Sequence, residues 1–246
     1  MIWALLFSII FGGSESVFLN SKVKKHIKRH IVEKETRKEV LLIIKDFEKE
    51  AKKLKKEEKK WNKELADLNA NRTATTGEFK VFFQRYMGAK KELHKRGMSA
   101  RIEIRDKISS ETWEKIIVDA GSTHEKEGTK RSKYILKLKK SISKIEKKVG
   151  KVIIDPSRRI KVKQAVEEFK NSVIEIQREY NRFNYAENVV LAYYNSTMND
   201  LQKVQDEIDL LHWQLFDAFT DTHLKLVHAT TDEEWDKVQK SFNKIL

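Results

Sequence analysis

Apolar residues recur along this chain at alternating steps of four and three, in two long runs that only one proline, Pro156, approaches. The first run is Val40, Ile44, Phe47, Ala51, Leu54, Trp61, Leu65 and Leu68, with Glu58 in its one polar slot. It continues in register across Arg72 and Thr75 to Phe79, Phe82, Tyr86, Ala89 and Leu93. The second runs Val162, Val166, Phe169, Val173, Ile176, Tyr180, Phe183, Val190, Tyr194, Leu201, Val204, Ile208, Leu211 and Leu215, with Glu187 and Thr197 as polar steps. Such heptad spacing buries one narrow stripe against another helix. Eight glycines in 246 residues leave few places to turn. The predicted fold class is therefore all-α: a long antiparallel coiled-coil or helical-bundle body. Read as one helix, the second run is a rod of roughly 90 Å at 1.5 Å per residue. Asn71 to Gly77 is poor in helix formers and is either a loosened patch or a hairpin tip.

Local signals punctuate the runs. Gly97 follows the basic turn Lys90, Lys91, His94, Lys95 and Arg96, which predicts a helix end there. A short helix with Ile102, Ile104 and Ile108 is expected next, then an N-cap at Ser109 or Ser110 for a helix carrying Trp113, Ile116 and Ile117. Gly121 to Gly128 reads as a polar linker. Ile135, Leu138, Ile142, Ile145 and Val149 predict a helix ending near Gly150, and Asp155 before Pro156 predicts the next start. Thr231 and Glu234 form a capping-box pattern before Trp235, Val238, Phe242 and Ile245.

A single shift of 122 residues lays the halves on one another without a gap: Phe47 on Phe169, Leu54 on Ile176, Trp61 on Phe183, Phe79 on Leu201, Leu93 on Leu215 and Trp113 on Trp235. Any two heptad runs slide into register, so the tryptophan helices at matching distance carry more weight for a tandem duplication than the seams do. The expected organisation is an N-terminal segment 1–20, a first helical unit 21–120, a linker 121–129 and a second unit 130–246.

The N-terminal segment is apolar all round. Ile2, Trp3, Ala4, Leu5, Leu6, Phe7, Ile9, Ile10 and Phe11 precede Gly12 to Ser16, and Val17, Phe18 and Leu19 resume the block. Two readings fit. A signal peptide has the apolar block and small residues but also a basic n-region, and no Lys or Arg precedes Lys22. A retained membrane anchor fits the basic cluster that follows, Lys22, Lys24, Lys25, Lys28 and Arg29, which would hold the body on the cytoplasmic side and meet anionic lipid. Its length is marginal against the roughly 20 apolar residues a span needs.

Chemistry-bearing patterns are sparse. There is no cysteine, and no phosphate loop, dinucleotide fingerprint, nucleophile elbow or zinc-protease motif. His26 and His30 stand one turn apart among cations, a poor metal setting. No enzyme activity, cofactor, metal or small-molecule substrate is expected. The formal charge of +14 is concentrated before Glu187, and acids outnumber bases beyond it. Lysine interleaved with glutamate on seamed helices, with Trp61 on the seam, argues against nucleic acid. The expected function is a membrane-anchored helical scaffold or adaptor that meets protein partners, or another copy, through its seams. The alternative is an exported protein of the cell envelope, cleaved near Ser16, with a periplasmic body.

Overall fold

The computed structural model describes the backbone of residues 23–245, with side chains at all but 121–139, 141–142, 181, 184–188 and 241–245. The apolar stretch Ile2 to Leu19 and Lys22 therefore lie outside the described residues. Among the described residues the chain is entirely helical: α1 (Val23–His30), α2 (Lys34–Ala70), α3 (Thr76–Arg105), α4 (Ser110–Val152), α5 (Pro156–Ala192), α6 (Met198–His228) and α7 (Asp232–Ile245). The helical-bundle expectation holds. No helix among the described residues is long and apolar enough to cross a membrane.

Both long seams bend into hairpins. In the first, α2 stops at Ala70 and α3 restarts after a capping box in which Thr75 accepts from the Glu78 amide and Glu78 from the Thr75 amide. The open region Asn71 to Gly77 is thus a hairpin tip. The second seam does not form a 90 Å rod. Thr197 and Asp200 make the same reciprocal cap, and α5 ends at Ala192. Two backbone amides gain partners at each cap, which offsets breaking a helix that the apolar spacing would have continued.

Two other breaks expected from the sequence are absent. α3 runs through Gly97 to Arg105, and α4 runs unbroken through 121–129. A glycine ends a helix by adopting positive φ, and no described glycine does. In α3 the packing of Leu93, Ala100 and Ile104 on either side of Gly97 outweighs the roughly 1 kcal/mol a mid-helix glycine costs. α4 is held near both ends, at Trp113 and Ile116 and again at Ile145 and Val149. The other start signals hold: Ser109 caps α4, Asp155 caps α5 before Pro156, and Thr231 with Glu234 caps α7.

The 122-residue correspondence extends to the architecture. α2 and α5 each span 37 residues and begin and end at equivalent positions. Val23, Ile27 and Ile31 correspond to Ile145, Val149 and Ile153, and all six are buried. Val40, Ile44 and Phe47 correspond to Val162, Val166 and Phe169, again all buried. Each unit is thus a lead-in turn, a long hairpin and a tryptophan helix. The tryptophan helix packs on the base of its own hairpin, with Trp113 against Arg101 and Trp235 against His223, and its indole reaches across to the other unit. Trp113 of the first unit donates to the Ala192 carbonyl at the tip of the second, at 2.6 Å, and Trp235 of the second donates to the equivalent Ala70 carbonyl of the first, at 3.0 Å. Arg72 bonds the Val227 and Thr230 carbonyls, while Tyr194, its counterpart, donates to the carbonyls of Arg105 and Ile108, the counterparts of those two. Such exchange of equivalent contacts is the signature of a two-fold arrangement. Each of the two apolar cores therefore joins the base of one hairpin to the tip of the other.

Candidate functional site

The basic cluster after the apolar stretch falls on α1, and the fold divides it. Val23 and Ile27 face the core. Lys24 turns inward to Glu48 of α2 at 2.5 Å, and Arg29 reaches Asp119 of α4 at 3.0 Å. Lys25 and Lys28 are exposed. His26 and His30, one turn apart, converge on the same oxygen of Asp119, at 3.2 and 2.8 Å. Three donors on one carboxylate oxygen, led by His30, hold Asp119 below the usual carboxylate range. This triad docks α1 on α4. Asp119 lies 89 residues or more from the histidines, so no local pattern could have flagged it. No group of three or more ligating side chains suited to a metal occurs among the described residues.

Beside α1 the surface forms an open groove of about 950 Å³ lined by Lys45, Asp46, Glu48, Lys49, Glu50, Lys52, Lys53 and Lys56 of α2 with Arg96 of α3. The positions follow from the seam. Phe47, Ala51 and Leu54 turn inward, so residues three and four apart on the flank line up along one edge. Two of the three acids are already answered: Glu48 by Lys24, and Glu50 by Arg96 at 3.9 Å. Arg96 also holds Glu103 at 2.9 Å. The five lysines are all exposed.

The second unit carries a groove at the equivalent place, about 540 Å³, lined by Ser172, Glu175, Ile176, Arg178, Glu179, Gln214 and Ala218. Four of its lining positions, Ser172, Glu175, Arg178 and Ala218, correspond to Glu50, Lys53, Lys56 and Arg96, and its charge differs. Lys49, Lys52, Lys53 and Arg96 are replaced there by Asn171, Ile174, Glu175 and Ala218. Even the ion pair that fixes the lead-in turn is reversed: Lys24 with Glu48 in the first unit, Glu146 with Lys170 at 3.6 Å in the second. The fold accepts either chemistry at these positions, so it does not by itself demand the lysines. The lysines of α2 were visible in the sequence as part of a long basic segment. Arg96, from the returning helix, was not, and only the 122-residue alignment opposing it to Ala218 could have marked it.

Polar side chains also lie inside the bundle, and they read as packing rather than as a site. Lys90 meets Glu58 at 2.7 Å, and burial pushes His94 down to about 4. Of the aromatic residues midway along the second seam, Tyr194 lies in the tip lock, Phe183 packs against the core and Tyr193 is exposed. No protein-family model, no curated protein and no solved structure matches this chain.

Proposed function

We propose that this chain is a membrane-tethered helical scaffold, built from a tandemly duplicated unit whose seams form an antiparallel coiled-coil body, and that the body lies with α1 and the groove of α2 against anionic lipid on the cytoplasmic side. The observation that carries the reading is the one-sided charge. The groove beside α1, the helix that follows the apolar stretch in sequence, is basic, while the corresponding groove in the other unit is not. The lead-in turn begins at Val23, a few residues after Leu19, and Lys24 touches the groove wall at Glu48. A tether there would deliver the exposed Lys25, Lys28, Lys49 and Lys53 to a bilayer surface, where each near-surface cation contributes about 1 kcal/mol. The opposite unit, with Glu175 and Glu179, would face away and be free for protein partners.

The test is amine-reactive labelling of the full chain reconstituted in vesicles, read by mass spectrometry. Anionic lipid should protect Lys25, Lys28, Lys49 and Lys53 severalfold relative to zwitterionic lipid, with Lys161 and Lys203 of the second unit unchanged, and added salt should remove the protection. Equal labelling in both vesicles would refute the orientation.

A further inference from the structure

We propose that the groove between α2 and α3 is a binding site for a phosphate monoester carried on a lipid headgroup. The proposal rests on the preceding reading of which face meets the membrane, and it adds a ligand to that face. Three observations carry it. The basic residues surround a concavity rather than covering a flat helix face, so a group projecting from a bilayer can enter between them. The donors come from two helices: Lys49 and Lys53 stand one turn apart on α2, about 6 Å along the axis, and Arg96 closes the groove from α3. Arg96 is pre-positioned, with Nε toward Glu50 and Nη1 on Glu103. Finally, the corresponding groove of the second unit is smaller, and the donor positions there hold Asn171, Glu175 and Ala218.

A monoester matches this set better than a diester. It carries about −1.5 to −2 charges and three terminal oxygens, so it can accept from two ammonium groups and one guanidinium at once. A phosphodiester headgroup carries a single charge, and a face of solvated lysines alone would respond to surface charge without regard to headgroup chemistry. Asp46, Glu48 and Glu50 on the groove wall disfavour an extended polyanion lying along its length, which sets the lipid reading above a nucleic-acid one.

The experiment is calorimetric titration of the full chain, in non-ionic detergent, with dihexanoyl phosphatidic acid, dihexanoyl phosphatidylglycerol and glycerol 3-phosphate. We expect phosphatidic acid to bind at least tenfold tighter than phosphatidylglycerol and tighter than glycerol 3-phosphate. The variant Lys49→Asn, Lys53→Glu, Arg96→Ala installs the residues that the second unit already uses, so it should melt as the parent does and lose the preference. Equal affinity for the two lipids would overturn the monoester site while leaving the labelling result above intact. Glycerol 3-phosphate binding as tightly as the lipid would overturn a membrane source, and displacement of the lipid by a duplex oligonucleotide would overturn the lipid in favour of nucleic acid. Failure of both the titration and the vesicle labelling would remove the underlying reading as well.

Discussion

The two ends of the bundle solve one problem with different side chains. At each end a hairpin tip of one unit is pinned under the tryptophan helix of the other, and the carbonyls at the end of a long helix must find donors. At the end built from the first hairpin tip and α7, the interior is aromatic, and Arg72 donates to the Val227 and Thr230 carbonyls beside it. Phe79 lies edge-on to Phe219, Phe83 stacks on Phe216 at 3.9 Å, and His223 sits between Phe79 and Trp235 with Nδ1 on the Asn69 amide oxygen. At the opposite end the counterpart of His223 is Arg101. Its guanidinium is almost fully buried, lies 4.8 Å over Trp113 and donates to the carbonyls of Leu191, Tyr193 and Ser196. What persists between the ends is backbone acceptor and indole donor; what drifts is everything that only needs to fill the space between. The architecture therefore resides in the helix ends, and the side chains around them are free to diverge in charge.

The sharpest way to break this comparison is to remove the buried cation. Burial first, and Arg105 second, push Arg101 down to about 10, a sign of how completely its charge depends on the carbonyls around it. Arg101→Met would leave the Leu191 and Tyr193 carbonyls without their donor in a dry setting and should cost about 4 kcal/mol. At the other end His223→Met deletes one hydrogen bond from an aromatic nest that can close around the thioether, for about 1–2 kcal/mol. Urea unfolding of the two variants measures the difference. Equal losses would mean that the tips are held by helix packing alone and that the guanidinium is incidental.

The seams made much of this fold legible in the sequence, because burial of Val40, Ile44, Phe47, Val162, Val166 and Phe169 follows directly from spacing. The caps at Ser109, Asp155 and Thr231 were legible for the same reason: each acts on amides within three residues of itself. Interactions between residues far apart in sequence were not. Nothing near Arg101 in sequence signals the Leu191 carbonyl, and nothing near Trp113 signals Ala192. The second hairpin was hidden for another reason. Tyr194 and Leu201 continue the apolar spacing, with Thr197 as a polar step and no glycine or proline between them, so a tip looks like helix until its reciprocal cap is seen. The basic groove was half legible, since the run of lysines is local but its opposing wall, Arg96, arrives by folding.

Acid should separate the ends next. Burial pushes His223 down to about 4, from an ordinary value near 6.5 in the unfolded chain. The unfolded state then takes up a proton between these values and the folded state does not, so stability is fully present above about pH 6.5 and falls as the pH drops toward 4. From pH 7 to pH 5 His223 should account for about 2 kcal/mol of lost stability, and the similarly buried His94 for a comparable amount. Arg101 keeps its proton throughout this range and adds no slope of its own. His223→Gln should accordingly flatten the dependence of the urea midpoint on pH by about half, and an unchanged slope would show that His223 is hydrated in solution.

The smallest expected effect tests what the two ends share. Trp113→Phe and Trp235→Phe each delete one indole donor to the terminal carbonyl of the other unit's long helix, at Ala192 and Ala70. The phenyl ring retains most of the burial, and each lost hydrogen bond should cost about 1–2 kcal/mol. Because the surroundings differ so much, equal costs at the two ends would locate the interaction energy in the indole and the helix end rather than in the neighbours. The two sites lie in separate apolar cores, so the double variant should lose the sum of the single losses to within about 0.5 kcal/mol. A double variant that loses clearly more than that would couple the ends through α4, which carries Trp113 near its start and packs against α7 at its finish. In that case the long helix would act as a strut that transmits the loss of one lock to the other, and the two units would have to be treated as one cooperative body rather than as two locks that happen to look alike.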